Sequence, residues 1–182
     1  MKACKSQIRE SVTKHFPTSS DGKMGCFCNN VAGPFEAIGI TCNPSEWRLF
    51  IDSSSRSLKA VLLHNGNNYL SLPMAHSVHL KEDYTSVKML LRALKYDDYG
   101  WEVIGDFKMV PFLMGLQGGF TKFPCFLCLW DSRDTKAHYH RKDWPQRTEF
   151  SVGKSNVKWE PLIEPQKVLI CLLYTSPSPR DS

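Results

Sequence analysis

The sequence predicts an α/β chain built on a mixed sheet, and three observations carry that expectation. Three apolar, strand-like runs follow one another within residues 48–80, with turn residues between them. A segment with helical spacing, 83–96, separates them from a fourth short apolar run, 101–105. A second helical segment comes next. Strands joined by short turns pair antiparallel, whereas a strand reached through a helix can lie parallel to the first.

Residues 1–45 show little periodicity, with CFC at 26–28 and Cys42 among Gly, Asn and Pro. They read as an irregular N-terminal extension with one short helix over Val31–Ile40, its start disturbed by Gly33-Pro34. Arg48–Ile51 is the first strand, and it ends in Asp52 and three serines. Leu58–His64 is the second. Asn65-Gly66 then signals a hairpin, because both residues tolerate positive φ. Tyr69–Leu80 is the third strand, where Pro73 marks an edge position or a bulge. In 83–96, Tyr84, Val87, Leu91 and Leu94 fall on one helical face, with Asp83 as N-cap. Lys88, Arg92 and Lys95 take the opposite face. Trp101–Gly105 is the fourth strand, and it too runs into a carboxylate, Asp106. The helix expected over Lys108–Gln117 tolerates Pro111 only in its first turn, and Gly118-Gly119 closes it.

A chain of 182 residues, 42% hydrophobic and 23% charged, is sized and composed for one soluble domain with a real core. No apolar run approaches a membrane span, and MKACKSQIRESVTKHF lacks the apolar stretch of a signal peptide. The expected address is nuclear or cytoplasmic, not secreted, with no membrane partner. Seven cysteines then read as thiols or metal ligands rather than as a disulfide framework. A net charge of +5 favours an acidic partner such as nucleic acid.

Cys171–Asp181, CLLYTSPSPRD, match one for one the translation of a sequencing-library adapter of the transposase-tagmentation kind. Residues 171–182 are therefore expected to be an artefactual tail, with the natural chain cut near Ile170. A genuine Ser/Pro tail is the alternative.

With the fourth strand parallel to the first, Asp52 and Asp106 would end neighbouring strands about 4.8 Å apart. Each has a simpler role to hand: Asp52 suits the serine turn, and Asp106 suits a helix cap. Strand–Asp–hairpin–strand–helix–strand–Asp over residues 47–118 resembles the ribonuclease H-like fold of ribonucleases H, retroviral-type integrases and DDE transposases. That resemblance implies Mg²⁺ or Mn²⁺ on Asp52 and Asp106, with Asp52 bridging a metal pair about 4 Å apart. It implies phosphodiester hydrolysis or strand transfer on DNA. It also asks for a third acid, for which Glu149, Glu160 and Glu164 are candidates and Glu82 a further position.

The second signal is FPCFLCLWDSRDTKAHYHRKDW, residues 123–144. Cys125 and Cys128 form C-x-x-C, and His138 and His140 follow, a ligand set suited to tetrahedral Zn²⁺. The H-x-H spacing is tight, and buried reduced cysteines beside solvent histidines are the plain alternative. Cys26, Cys28 and Cys42, with Cys4 or His15, make a looser second set. Lys136, Arg141, Lys142 and Arg147, interleaved with Tyr139 and Trp144, can contact phosphates and stack bases.

EWRLFIDSSSRSLKAVLLHNGN, GFTKFPCFLCLWDSRD and HYHRKDWPQR together resemble a set of uncharacterised animal proteins, multicopy in arthropod and vertebrate genomes. The likeness covers most of residues 23–168 and implies descent from a mobile element. Three segments are expected: the extension 1–45, an incomplete ribonuclease H-like core 46–120, and a Cys/His-rich zinc segment 121–168. The expected function is that of a transposase-like protein, inactive as this fragment. The rival is a non-catalytic, zinc-stabilised module that binds nucleic acid or protein.

Overall fold

A computed structural model of the chain describes residues 14–18, 23–27, 30–54, 57–78, 80 and 83–170. Among these, the strands are β1 (Lys14–Thr18), β2 (Lys23–Phe27), β3 (Trp47–Ser53), β4 (Leu58–His64), β5 (Leu72–Ser77), β6 (Glu102–Gly105) and β7 (Val168–Ile170). They form one sheet in the order β1-β2-β5-β4-β3-β6-β7. The helices are α1 (Ala32–Ala37), α2 (Tyr84–Ala93), α3 (Tyr96–Tyr99), α4 (Met109–Leu113) and α5 (Ala137–His140).

Alternation along β3 decides which face is buried. Trp47, Leu49 and Ile51 are at most 1% exposed, and their neighbours Leu62, Ala60 and Val103 are fully buried beside them. This face packs against Val87, Leu90 and Leu94 of the α2 segment and against Met109 and Leu113 of α4. The opposite face carries Arg48, Phe50, Asp52, Lys59, Glu102 and Ile104, all exposed or half-buried.

The expected mixed sheet is present, with β3 antiparallel to β4 and parallel to β6. The α2 helix starts as anticipated, Asp83 accepting the Ser86 amide at 2.8 Å. It stops earlier, because Lys95 adopts φ 50°, and the short α3 follows. The Pro73 signal holds: the β4–β5 register shifts between Ala60 and Val61, and Val61 pairs with Pro73. The hairpin expected at Asn65–Asn68 forms, β4 and β5 pairing antiparallel through a longer loop. Asn67 takes the positive φ, His64 Nδ1 accepts the Gly66 amide at 3.0 Å, and β5 begins only at Leu72.

Three expectations are corrected. Residues 1–45 are not wholly irregular, since β1 and β2 extend the sheet from the outer edge of β5. An edge strand offers unpaired backbone groups, and pairing needs no side-chain alternation in the added strand. The α4 helix ends at Gly115, φ 67°, well before Gly118-Gly119, because the chain must leave the helix to meet 158–162. The sheet does not stop at 120 either. Val168–Ile170 pairs parallel with β6, so residues 121–167 are an insertion between α4 and the last strand. That insertion has its own small core, Val110, Met114, Leu116, Phe126 and Val157. Cys4, Cys28, His79, Glu82 and the 171–182 tail lie outside the described residues.

Candidate functional site

The two acids directly follow paired residues of adjacent parallel strands. Arg48, Leu49, Phe50 and Ile51 pair in turn with Glu102, Val103, Ile104 and Gly105, so Asp52 and Asp106 stand next in line on adjacent parallel strands. Residues in register project to the same face. Arg48 Nε donating to Glu102 Oε2 at 2.7 Å, four positions back, shows that face in use. Asp52 is exposed, opposite Lys59 of β4. Asp106 is half-buried, and its Oδ1 accepts the Met109 amide at 2.7 Å and the Lys108 amide at 3.1 Å. The capping role is therefore real. It engages one oxygen, and the two carboxylates together offer the hard oxygen donors that Mg²⁺ or Mn²⁺ takes.

Among the described residues no third acid joins them. Glu149 bonds Ser151 and Lys154, whose donors hold its carboxyl below the usual range. Glu160 lines a cleft of about 190 Å³ with Tyr84, Lys88 and Arg92, and Glu164 pairs with Lys167 at 3.7 Å. Among the described residues no group of three or more His, Cys, Asp or Glu side chains is placed to hold an ion.

The same holds for the expected zinc ligands: Cys125 and Cys128 meet, but His138 and His140 do not join them. Burial, and then the neighbouring Cys125 thiol, push the Cys128 thiol up. The histidines sit two residues apart on α5, about 200° around its axis, so they face away from each other. His138 stacks on Trp130 at 4.8 Å and 24°, and its Nε2 donates to the Asp131 carbonyl at 2.6 Å. His140 is exposed. Of the looser cysteine set, Cys42 is half-buried against the main core, and burial raises its thiol.

The basic residues divide. Lys136, Arg141 and Lys142 are exposed beside Tyr139, which is 88% exposed, and the Arg141 guanidinium lies 4.7 Å over the Trp144 ring. Trp130, His138, Trp144 and Arg141 thus form a continuous stack, with Trp144 edge-on to His138 at 6.2 Å. Arg147, expected among the phosphate contacts, is corrected: it is 5% exposed. Its guanidinium donates to the carbonyls of Cys125, Ser155 and Phe123 at 3.0, 2.8 and 3.0 Å. Burial is the main pull lowering its pKa. Nothing in local sequence separates this arginine from Arg141; the difference is how the loop folds back over it.

No helix among the described residues is long and apolar enough to cross a membrane. No curated protein and no solved structure matches the chain. A family model described as a domain of unknown function, DUF8703, matches residues 7–163, most of the chain. The chain belongs to the DUF8703 family.

Proposed function

We propose that the sheet is a ribonuclease H-like core of transposase-type ancestry, whose Asp52 and Asp106 bind divalent metal for phosphodiester chemistry on DNA. One observation carries the reading: Arg48–Ile51 and Glu102–Gly105 pair in parallel register, and Asp52 and Asp106 are the residues that directly follow the last pair. The β5-β4-β3-β6-β7 order supports it, with three antiparallel strands followed by two parallel ones. Two neighbouring carboxylates repel unless a cation or proton intervenes, which favours a metal role over chance pairing.

Each acid has its own task. Asp106, its Oδ1 fixed by two α4 amides, presents Oδ2 in one orientation. Asp52, exposed on β3, completes the pair from the next strand. A divalent ion held there supplies Lewis-acid polarisation of a phosphodiester oxygen. Lys136, Arg141 and Lys142 contribute phosphate contacts, and Tyr139 and Trp144 offer ring faces to bases. Hydrolysis needs a further carboxylate. The reading therefore assigns metal and DNA binding to the described residues, with no third acid among them.

Titrating Mn²⁺ into isotope-labelled protein tests the reading. Paramagnetic broadening should centre on the amides of 51–53 and 105–107, and Asp52→Asn should remove it while leaving the rest of the spectrum in place. Broadening that is absent, or that survives the substitution, overturns the metal assignment.

A further inference from the structure

Cys125 and Cys128 form a pre-shaped pair. Both cysteines are free thiols and lie in one C-x-x-C loop. The Leu127 amide donates to Cys125 Sγ at 3.4 Å. The loop is held on its other side by the facing strand. Arg147 N–H donates to the Leu127 carbonyl at 2.8 Å, Leu129 N–H to Pro145 at 2.8 Å, and Cys128 bridges Gln146. Two sulfurs are therefore positioned before any ligand arrives.

We propose that this pair is half of a tetrahedral zinc site, completed by the same two thiolates of a second copy of this chain. Zinc in structural sites takes four ligands and favours sulfur. Among the described residues no third ligand reaches the pair, and the His138 ring is already held by Trp130 and Asp131. Charge supports the same count. Four thiolates around one Zn²⁺ leave two negative charges, and each copy brings one buried Arg147 guanidinium whose charge acts on both of its sulfurs. The surroundings suit a protein neighbour. Leu127, between the cysteines, is 53% exposed, and Phe107, against Phe126, is 56% exposed. Apolar side chains exposed around a half-site are surface that a second copy can bury.

The test uses the whole chain, purified without chelator. Zinc content and sedimentation mass are measured on the same sample, before and after EDTA. The expected result is about one zinc per two chains, in a dimer that falls to monomer when the metal is removed. Cobalt exchanged for zinc should show the intense sulfur-to-metal absorption of a four-thiolate site. A His138→Asn, His140→Asn double variant should keep both metal and dimer, whereas Cys128→Ser loses both. The EDTA result on unaltered protein, which does not depend on how that cysteine variant folds, decides alone. One zinc per monomeric chain, zinc lost in the histidine variant, or no zinc overturns the proposal. Mn²⁺ broadening at Asp52 and Asp106 is a separate readout, so either reading can fail without the other.

Discussion

At the scale of single residues, one side chain can hold two roles that substitution separates. Asp106 is both the cap of α4 and a proposed metal acid. Asp106→Ala should cost about 1 kcal/mol in a denaturant titration, the usual loss for a cap. Asp106→Asn keeps an acceptor oxygen, so it should lie within about 0.5 kcal/mol of the native chain while losing the Mn²⁺ response. Arg147 is the opposite case, a charge with a single structural task. Its three carbonyl acceptors come from two stretches of the insertion, Phe123 and Cys125 from one and Ser155 from the other, and the geometry demands a planar fork. Arg147→Met should strand those carbonyls and destabilise by about 2–4 kcal/mol, read from the shift in the unfolding midpoint. Arg147→Lys should recover little of that, since one ammonium cannot reach all three. Neither change should alter phosphate contacts at the surface.

At the scale of elements, the joints matter more than the helices and strands themselves. Gly115 closes α4 with φ 67°, and its carbonyl accepts the Lys158 and Trp159 amides at 2.9 and 3.0 Å. A Cβ there would run into the Trp159 carbonyl. Gly115→Ala therefore combines left-handed strain with a backbone clash, and a loss of at least about 2 kcal/mol is expected in thermal unfolding. A second joint ties α3 to the start of β6, where the Tyr96 hydroxyl donates to the Trp101 carbonyl at 2.8 Å. Burial first, then the Glu164 and Asp97 carboxylates, push the Tyr96 phenol up to about 12. An unfolded tyrosine ionises near 10, so between about pH 10 and 12 the folded form holds a proton that the unfolded form has lost. This contribution is complete below pH 10 and drains away as pH rises toward 12. Tyr96→Phe should flatten that alkaline decline, measured by denaturant melts across the interval.

At the scale of the whole molecule, the insertion and the sheet meet through α4 and β7. Val110 and Met114 point to the insertion's core, while Met109 and Leu113 point to the main one. The net charge of +5 becomes a testable binding property through the exposed residues of the insertion. If Lys136, Arg141 and Lys142 contact phosphates, single-stranded DNA binding should weaken steeply with salt. Replacing all three by Gln should reduce the slope of log K against log salt by about 2–3, read by fluorescence anisotropy. Unchanged slope removes these residues from the interface.

Much of the sheet is legible in the residue order alone. Leu49-Phe50-Ile51 form an apolar run, Tyr84, Val87, Leu91 and Leu94 repeat at helical spacing, and Pro73 marks the register shift, because these are properties of nearest neighbours along the chain. That Asp52 and Asp106 follow the first and fourth strand-like runs is visible in the same way. Pairings between distant segments leave no such trace. Val168–Ile170 is too short to announce a strand until β6 offers an edge, and β1 and β2 become strands only against β5. The fate of Arg147 and the parting of His138 from Cys125 depend on how a long loop folds back, where contact and burial replace periodicity. Local pattern thus wrote the strands, helices and acids into the chain, while long-range packing chose which side chains stand together at a site.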